Sequence, residues 1–327
     1  MDRRTFIAGA VIPAAASLPF AARAETAQEW PTKTVKIVVP FGPGSTPDLL
    51  ARLVADHLGK KLNQAFIVEN RAGAGGNIGT NAVARAAPDG YTIGLSITGP
   101  LVNNTLLYKK LPYDPFKDLA PVTLAAVQPS VLAVSPSLGV NTAQELLALL
   151  RRNPGKYNYA SLGAGTVAHL AMELIKSKSG TYIVHIPYPS SPSAVSSIVA
   201  GDTQMGTLPP AAVMPLAQAG RLKALAVTTP ERSPLMPDLP TFKEVGIPGV
   251  EATAWLGFVV PSAVPAALVA RLNQELVGAL KEPAVADKLR ASYMTAAPGT
   301  QKEFADFMQA ELARWKPVIE RAGVTLD

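Results

Sequence analysis

The chain has 327 residues, 48% hydrophobic and 17% charged, with a formal net charge of +6. That length suits two cores rather than one, and the excess of apolar over charged residues excludes intrinsic disorder. Cys is absent and the three histidines, His57, His169 and His185, are far apart, so disulfides, thiol catalysis and metal motifs are excluded and neither a metal nor a cofactor is expected.

In chain order, residues 1–24 come first as a signal peptide. Met1-Asp2-Arg3-Arg4 is basic, Phe6 to Leu18 is apolar, and Ala22-Arg23-Ala24 is the small-x-small pattern at which a signal peptidase cuts. The apolar run is too short for a membrane span. The pair Arg3-Arg4 resembles a twin-arginine signal but lacks the usual Ser/Thr before it and Lys after it, so that route and the general one stay open. Removing these 24 of the 327 residues leaves 303, and the loss of Asp2 and three arginines lowers the charge to +4. The mature protein is expected to be exported, periplasmic and soluble, and without Cys it is not lipid-anchored. Its basic residues are scattered and not interleaved with aromatics, which argues against a nucleic-acid partner.

Short β-branched runs then alternate with amphipathic stretches, the pattern of an α/β protein on a mainly parallel sheet. Strands are expected at 35–39, 66–69 and 91–97, with helices over 47–58 and up to residue 87. Extended segments follow at 122–127 and 131–134, then a helix over 143–152 capped by Asn141-Thr142. Further strands are expected at 157–160, 182–186, 204–208 and 222–227, and helices at 167–176, 193–200 and 211–219. Residues 228–249 contain five prolines and look like a long surface connection. A strand over 251–260 and helices at 266–280, 284–291 and 300–322 close the chain.

This last part has too little sheet to stand alone, so it is expected to join the first unit. Residues 25–125 and 250–327 would form one lobe and residues 126–249 the other, with two strands crossing between them as a hinge. The cleft between such lobes is the default ligand site.

Two glycine loops fall where that cleft would be lined. They are Pro40-Phe41-Gly42-Pro43-Gly44-Ser45-Thr46-Pro47-Asp48 and Ser161-Leu162-Gly163-Ala164-Gly165-Thr166. Each lies between a strand end and a helix start, where free N–H groups and the helix dipole favour an anion. Such a loop can also simply make a tight turn. The pair suits a ligand with a carboxylate at each end, or one carboxylate and a polar tail. Gly163-x-Gly165-x-x-Ala168 fits a dinucleotide fingerprint, but the acidic residue that should hold the ribose is missing. There is no Gly-x-Ser-x-Gly elbow or His-Glu-x-x-His motif. His169 reads as a packing residue, with general base the competing role, and Asp48 as a helix-start acid that ties down its loop.

Several stretches together resemble the Bug family, the extracytoplasmic solute-binding proteins of tripartite tricarboxylate transporters. They are Trp30 to Phe41, Asn70-Arg-Ala-Gly-Ala-Gly-Gly-Asn-Ile-Gly, Pro88-Asp-Gly-Tyr-Thr-Ile-Gly, Ser161 to Leu170, Leu225-Ala-Val-Thr and Pro237-Asp-Leu-Pro-Thr. The resemblance implies a two-lobed Venus-flytrap fold of the type II-like periplasmic binding proteins, acting as a monomer that captures a small carboxylate and passes it to a membrane permease. Carried over by motif, the implied ligand-binding positions are Phe41, Gly44, Ser45, Thr46 and Asp48 on one lobe and Ser161, Gly163, Ala164, Gly165 and Thr166 on the other. The sequence departs from the family at Gly44-Ser45, where a Gly-Gly pair is common. It departs again at Pro189 to Pro192, where a basic residue and Gly are common, and at Gly206 to Leu208, where an acid is common. Those departures imply a more neutral pocket, for a monocarboxylate, aromatic or amide-bearing, rather than a tricarboxylate. The competing functions are an exported hydrolase or isomerase using Asp48 or His169, and a ligand sensor for a membrane kinase. Gly165→Val is expected to weaken binding and spare the fold.

Overall fold

The chain's near-continuous apolar strands need cover on both faces, and helices following each strand supply it. A computed structural model describes residues 30–326; the expected signal peptide lies outside the described residues. The first unit runs β1 (Val35–Val39), α1 (Thr46–Leu62), β2 (Phe66–Asn70), a tight turn at Ala74–Gly76, α2 (Asn77–Ala84) and β3 (Thr92–Ile97). β1 pairs in parallel with both β2 and β3. A π-helical turn at Gly99–Asn103 leads into the short α3 (Asn104–Leu107), a segment whose composition gave no periodic signal.

β4 (Leu119–Gln128) belongs to the first sheet and runs almost directly into β5 (Val131–Val134) of the second. There follow α4 (Ala143–Arg152), β6 (Asn158–Ser161), α5 (Val167–Ser179), β7 (Val184–Pro187), α6 (Ser191–Ala200), β8 (Met205–Leu208), α7 (Pro210–Gln218) and β9 (Lys223–Val227). The chain returns through β10 (Ala254–Pro261) to the first sheet, then α8 (Ala266–Lys281), α9 (Pro283–Ala291), β11 (Thr295–Ala296) and α10 (Gln301–Ala322). The sheet orders are β11-β4-β10-β3-β1-β2 and β7-β6-β8-β5-β9.

The sheets are mixed rather than mainly parallel. β10 is antiparallel to β3 and β4, and β5 to β8 and β9. A parallel neighbour needs a long crossover, whereas these strands arrive straight from the other lobe and enter in the opposite direction. The two crossings are stitched together. Thr228 N–H donates to Ser130 O at 3.0 Å, Ser130 N–H to Thr228 Oγ1 at 3.1 Å, and Thr228 Oγ1 to Ala252 O at 2.8 Å.

Residues 228–249 are not merely a surface connection. Their prolines prevent regular structure, but Phe242, Val245 and Ile247 are buried in the core of the second lobe. α10 touches both cores. Phe304 and Met308 pack beneath the first sheet with Trp255, while Trp315 and Ile319 join the second core. Between them the buried Glu311 carboxylate accepts Trp255 Nε1–H at 2.9 Å and Trp315 Nε1–H at 3.2 Å, with Arg314 at 2.7 Å. No helix among the described residues is long and apolar enough to cross a membrane.

Candidate functional site

The first loop is held by one carboxylate. Asp48, in the first turn of α1, is buried; its Oδ2 accepts Gly44 N–H at 2.9 Å and Arg52 Nε–H at 3.0 Å. Its Oδ1 accepts Asn70 Nδ2–H at 2.9 Å and lies 2.9 Å from the Arg52 guanidinium. Asn70 also donates to Phe41 O at 2.8 Å, tying β2 to the loop. Burial alone would raise the Asp48 carboxyl, but the hydrogen bonds from Arg52, Gly44 and Asn70 and the Arg52 charge together hold it below its ordinary 3.8. Gly44 has φ +75°, which a glycine adopts without strain. Ser45 Oγ–H donates to Gly42 O at 2.6 Å instead of capping α1.

The second loop is held by neutral groups. Ser161 Oγ accepts Gly163 N–H at 3.0 Å and lies 2.6 Å from His185 Nε2. Thr166 Oγ1–H donates to Gly163 O at 2.7 Å, and His169 Nδ1 accepts Gly165 N–H at 3.2 Å. That last bond requires Nδ1 to be unprotonated, so His169 is the neutral Nε2–H tautomer. The rings of His169 and His185 stack at 4.3 Å, and Tyr159 stacks on His185 at 5.0 Å. Tyr159 OH donates to Glu173, which is paired to Lys176 at 2.8 Å. Burial lowers His169 from 6.5 to about 4, with Glu173 partly opposing and Lys176 assisting. Burial, then the neighbouring His169, lowers His185 to about 4 as well. His169 is thus a support behind the loop, as are Ser161 and Thr166.

The two loops do not face each other. The second meets the turn at Ala74–Gly76: a Cβ on Gly75 would overlap Ala164 O, and one on Gly163 would lie 3.0 Å from Gly75 Cα. A cavity of about 330 Å³ opens there, lined by Phe41, Gly73 to Gly76 and Tyr108 on one side and by Leu162 to Ala164 and Pro187 to Pro189 on the other. The first loop faces the start of α6. A second cavity of about 270 Å³ lies there, with Gly44, Thr46 and Leu49 opposite Ser191, Val195 and Leu216. Between the cavities Gly42 N–H donates to Pro189 O at 3.4 Å. No charged side chain lines either cavity. Their polarity comes from backbone groups and helix starts, among them Ala164 N–H, which has no hydrogen-bond partner among the described residues.

The two-sheet α/β fold has counterparts among known families and solved structures. Residues 50–324 match the model of the tripartite tricarboxylate transporter family receptor. The chain belongs to this family. It is 34% identical over 302 residues to protein BugT of Bordetella pertussis, covering 92% of this chain and 93% of the relative. Rpa4515 of R. palustris, solved with adipate, superposes with a TM-score of 0.87 at 35% identity, over 90% of this chain and 99% of that one. MatC (Rpa3494) from Rhodopseudomonas palustris, with bound malate, gives 0.84 at 30% identity over 89% and 100%. The fold is accordingly the α/β Venus flytrap of periplasmic binding proteins.

Of the ten positions carried over from this family, Phe41, Gly163 and Ala164 line the larger cavity, and Gly44 and Thr46 the smaller. The side chains of Ser45, Asp48, Ser161 and Thr166 are buried and bonded within their own loops. Gly165 sits behind the cleft, against Asn104 and Leu107. Several lining elements carried no site reading from sequence, among them α7 at the smaller cavity and two at the larger. Gly73 to Gly76, quoted only as a family motif, shows its glycines before a helix start. Tyr108 lies in a stretch with no periodic pattern, so nothing local pointed to it. Burial raises its phenol, keeping it a neutral donor.

Proposed function

We propose that the chain is the periplasmic solute-binding receptor of a tripartite tricarboxylate-type transporter, capturing a small carboxylate between its lobes and delivering it to a membrane permease without chemical change. Residues 25–125 with 250–327, and residues 126–249, act as the two lobes. The observation that carries this reading is the uncharged cleft where the Gly75 turn and the Gly163–Ala164 loop meet, with the Ala164 N–H and the Tyr108 phenol available to an anion. The α5 start behind Ala164 favours negative charge there. Relatives solved with adipate and malate support the ligand class. Hydrolysis is disfavoured because Ser161, Asp48 and His169, the groups a reaction would need, are committed to loop hydrogen bonds.

Calorimetric titration with citrate, malate, glutamate, nicotinate and terephthalate tests capture. At 100 times its dissociation constant, a true ligand stabilises the fold by about 2.7 kcal/mol. The ligand should be recovered unaltered and should promote association with the permease. Absence of binding across the panel, or conversion of the bound compound, would overturn the proposal.

A further inference from the structure

Ser191, the first residue of α6, is only 2% exposed, yet its hydroxyl has no hydrogen-bond partner among the described residues. Its neighbours satisfy each other. Ser190 Oγ accepts Ser193 N–H at 3.3 Å, and Ser193 Oγ accepts Ser190 N–H at 3.2 Å, a reciprocal cap that leaves Ser191 spare. A buried hydroxyl in that state is costly unless something else meets it.

Ser191 is one of the residues that line the smaller cavity, with Leu49, Val195 and Leu216 among the others. Three helix starts flank this space, and none requires an anion there. Asp48 already sits in the first turn of α1 and offsets its dipole, and the Ser190–Ser193 box satisfies the start of α6. The third, α7, begins at Pro210, which has no N–H, and its Ala212 N–H donates to Pro209 O at 3.1 Å. With no charged side chain on its walls, the compartment suits an uncharged, largely apolar group bearing one polar atom. A cavity of about 150 Å³ accepts benzene, so about 270 Å³ holds a substituted ring or a short chain. The segments Phe41 to Gly44 and Pro189 to Ser191 contribute to the walls of both cavities, and the Gly42–Pro189 hydrogen bond that joins them, at 3.4 Å, is at the long limit for such bonds.

We propose that the smaller cavity is the tail subsite of the cleft, with Ser191 Oγ as its polar contact. The cargo is therefore an amphipathic monocarboxylate: an aromatic ring or short chain carrying a hydroxyl, amide or ether, its carboxylate held in the larger cavity. This rests on the carboxylate-capture reading and goes further by assigning the other end of the ligand.

The test is titration of propionate, 3-phenylpropionate, 3-(4-hydroxyphenyl)propionate and citrate against the wild type, Ser191→Ala and Ala212→Trp. Ser196→Phe is a second cavity-filling variant should Ala212→Trp not fold. The wild type should prefer the hydroxyphenyl acid to propionate by about tenfold or more. Ser191→Ala should weaken the hydroxyphenyl acid alone, by about threefold to tenfold. The filled variant should lose the tail preference while binding propionate within about twofold of the wild type. Tightest binding by citrate, or a filled variant that affects short and long acids alike, overturns the subsite. If propionate binds but tails make no difference, the subsite alone fails; if no acid binds, the carboxylate reading falls with it.

Discussion

The two glycine loops occupy equivalent places in their lobes, yet different chemistry holds each one. Asp48 gathers Gly44, Asn70 and Arg52 around a charge, whereas the second loop is pinned by two hydroxyls and a neutral imidazole. Backbone geometry of one kind can thus be stabilised by an ion pair near the surface or by uncharged groups in the interior. The choice follows burial: Arg52 reaches solvent, while His169 is enclosed beside His185.

The largest expected effect comes from the place where the second loop meets the other lobe. Gly75→Val would drive a side chain into Ala164 O and block approach of the lobes. Affinity should drop at least about 100-fold, about 2.7 kcal/mol, with a smaller loss in unfolding free energy from strain at φ +61°. Retained affinity would show that the two backbones need not meet. Gly165→Val on the same loop behaves differently. Its Cβ would overlap Asn104 Oδ1 and crowd Leu107 inside the protein, so stability should fall by about 1–3 kcal/mol along with binding. The expectation that this variant spares the fold does not survive the packing around Gly165. Chemical denaturation of both variants separates the two effects.

Asp48→Asn probes the first loop, removing the Arg52 ion pair and all but one good acceptor. We expect a loss of about 1–3 kcal/mol, measured by urea unfolding at pH 7; a change within error would mean that the loop does not depend on its charge. Acid should also distinguish the loops. His169 and His185 are depressed from 6.5 to about 4, so the unfolded chain binds protons first as pH falls. Their contribution is complete above pH 6.5 and erodes as pH falls toward about 4. Asp48 is depressed below 3.8, so its contribution holds above that pH and is lost as pH falls through its folded value. A stability profile flat from pH 6.5 to 4 would contradict the neutral-histidine account; His185→Gln should reduce the slope there and leave the lower window unchanged. The smallest effect expected is from Tyr108→Phe, which removes one donor from the cleft and should weaken a carboxylate by about threefold.

Much of this architecture is legible in the sequence because the strands are strongly β-branched and each glycine loop precedes a helix start. The ends of α4 show why: Thr142 caps it as composition suggests, accepting Glu145 N–H at 3.1 Å. What stayed hidden depends on pairing at a distance. Nothing around Gly75 reveals that Ala164 will oppose it, and Tyr108 reaches the cleft only through a π-helical turn without periodicity. The histidine stack joins His169 on α5 to His185 on β7, a pairing that nothing beside either residue announces, and buried prolyl segments such as 228–249 resemble exposed ones until their apolar side chains are placed.

The Glu311 carboxylate on α10 touches an indole from each core, and this has an optical consequence. Indole emission responds to the charge beside the ring, so a shift of α10 over β10 changes the surroundings of Trp255, while Trp315, on the same helix as Glu311, keeps its partner. Trp30, the remaining indole, lies apart in the first core and serves as a constant background. The protein thus carries an internal fluorescent reporter of how α10 is seated against β10, readable without a label and altered by Glu311→Gln.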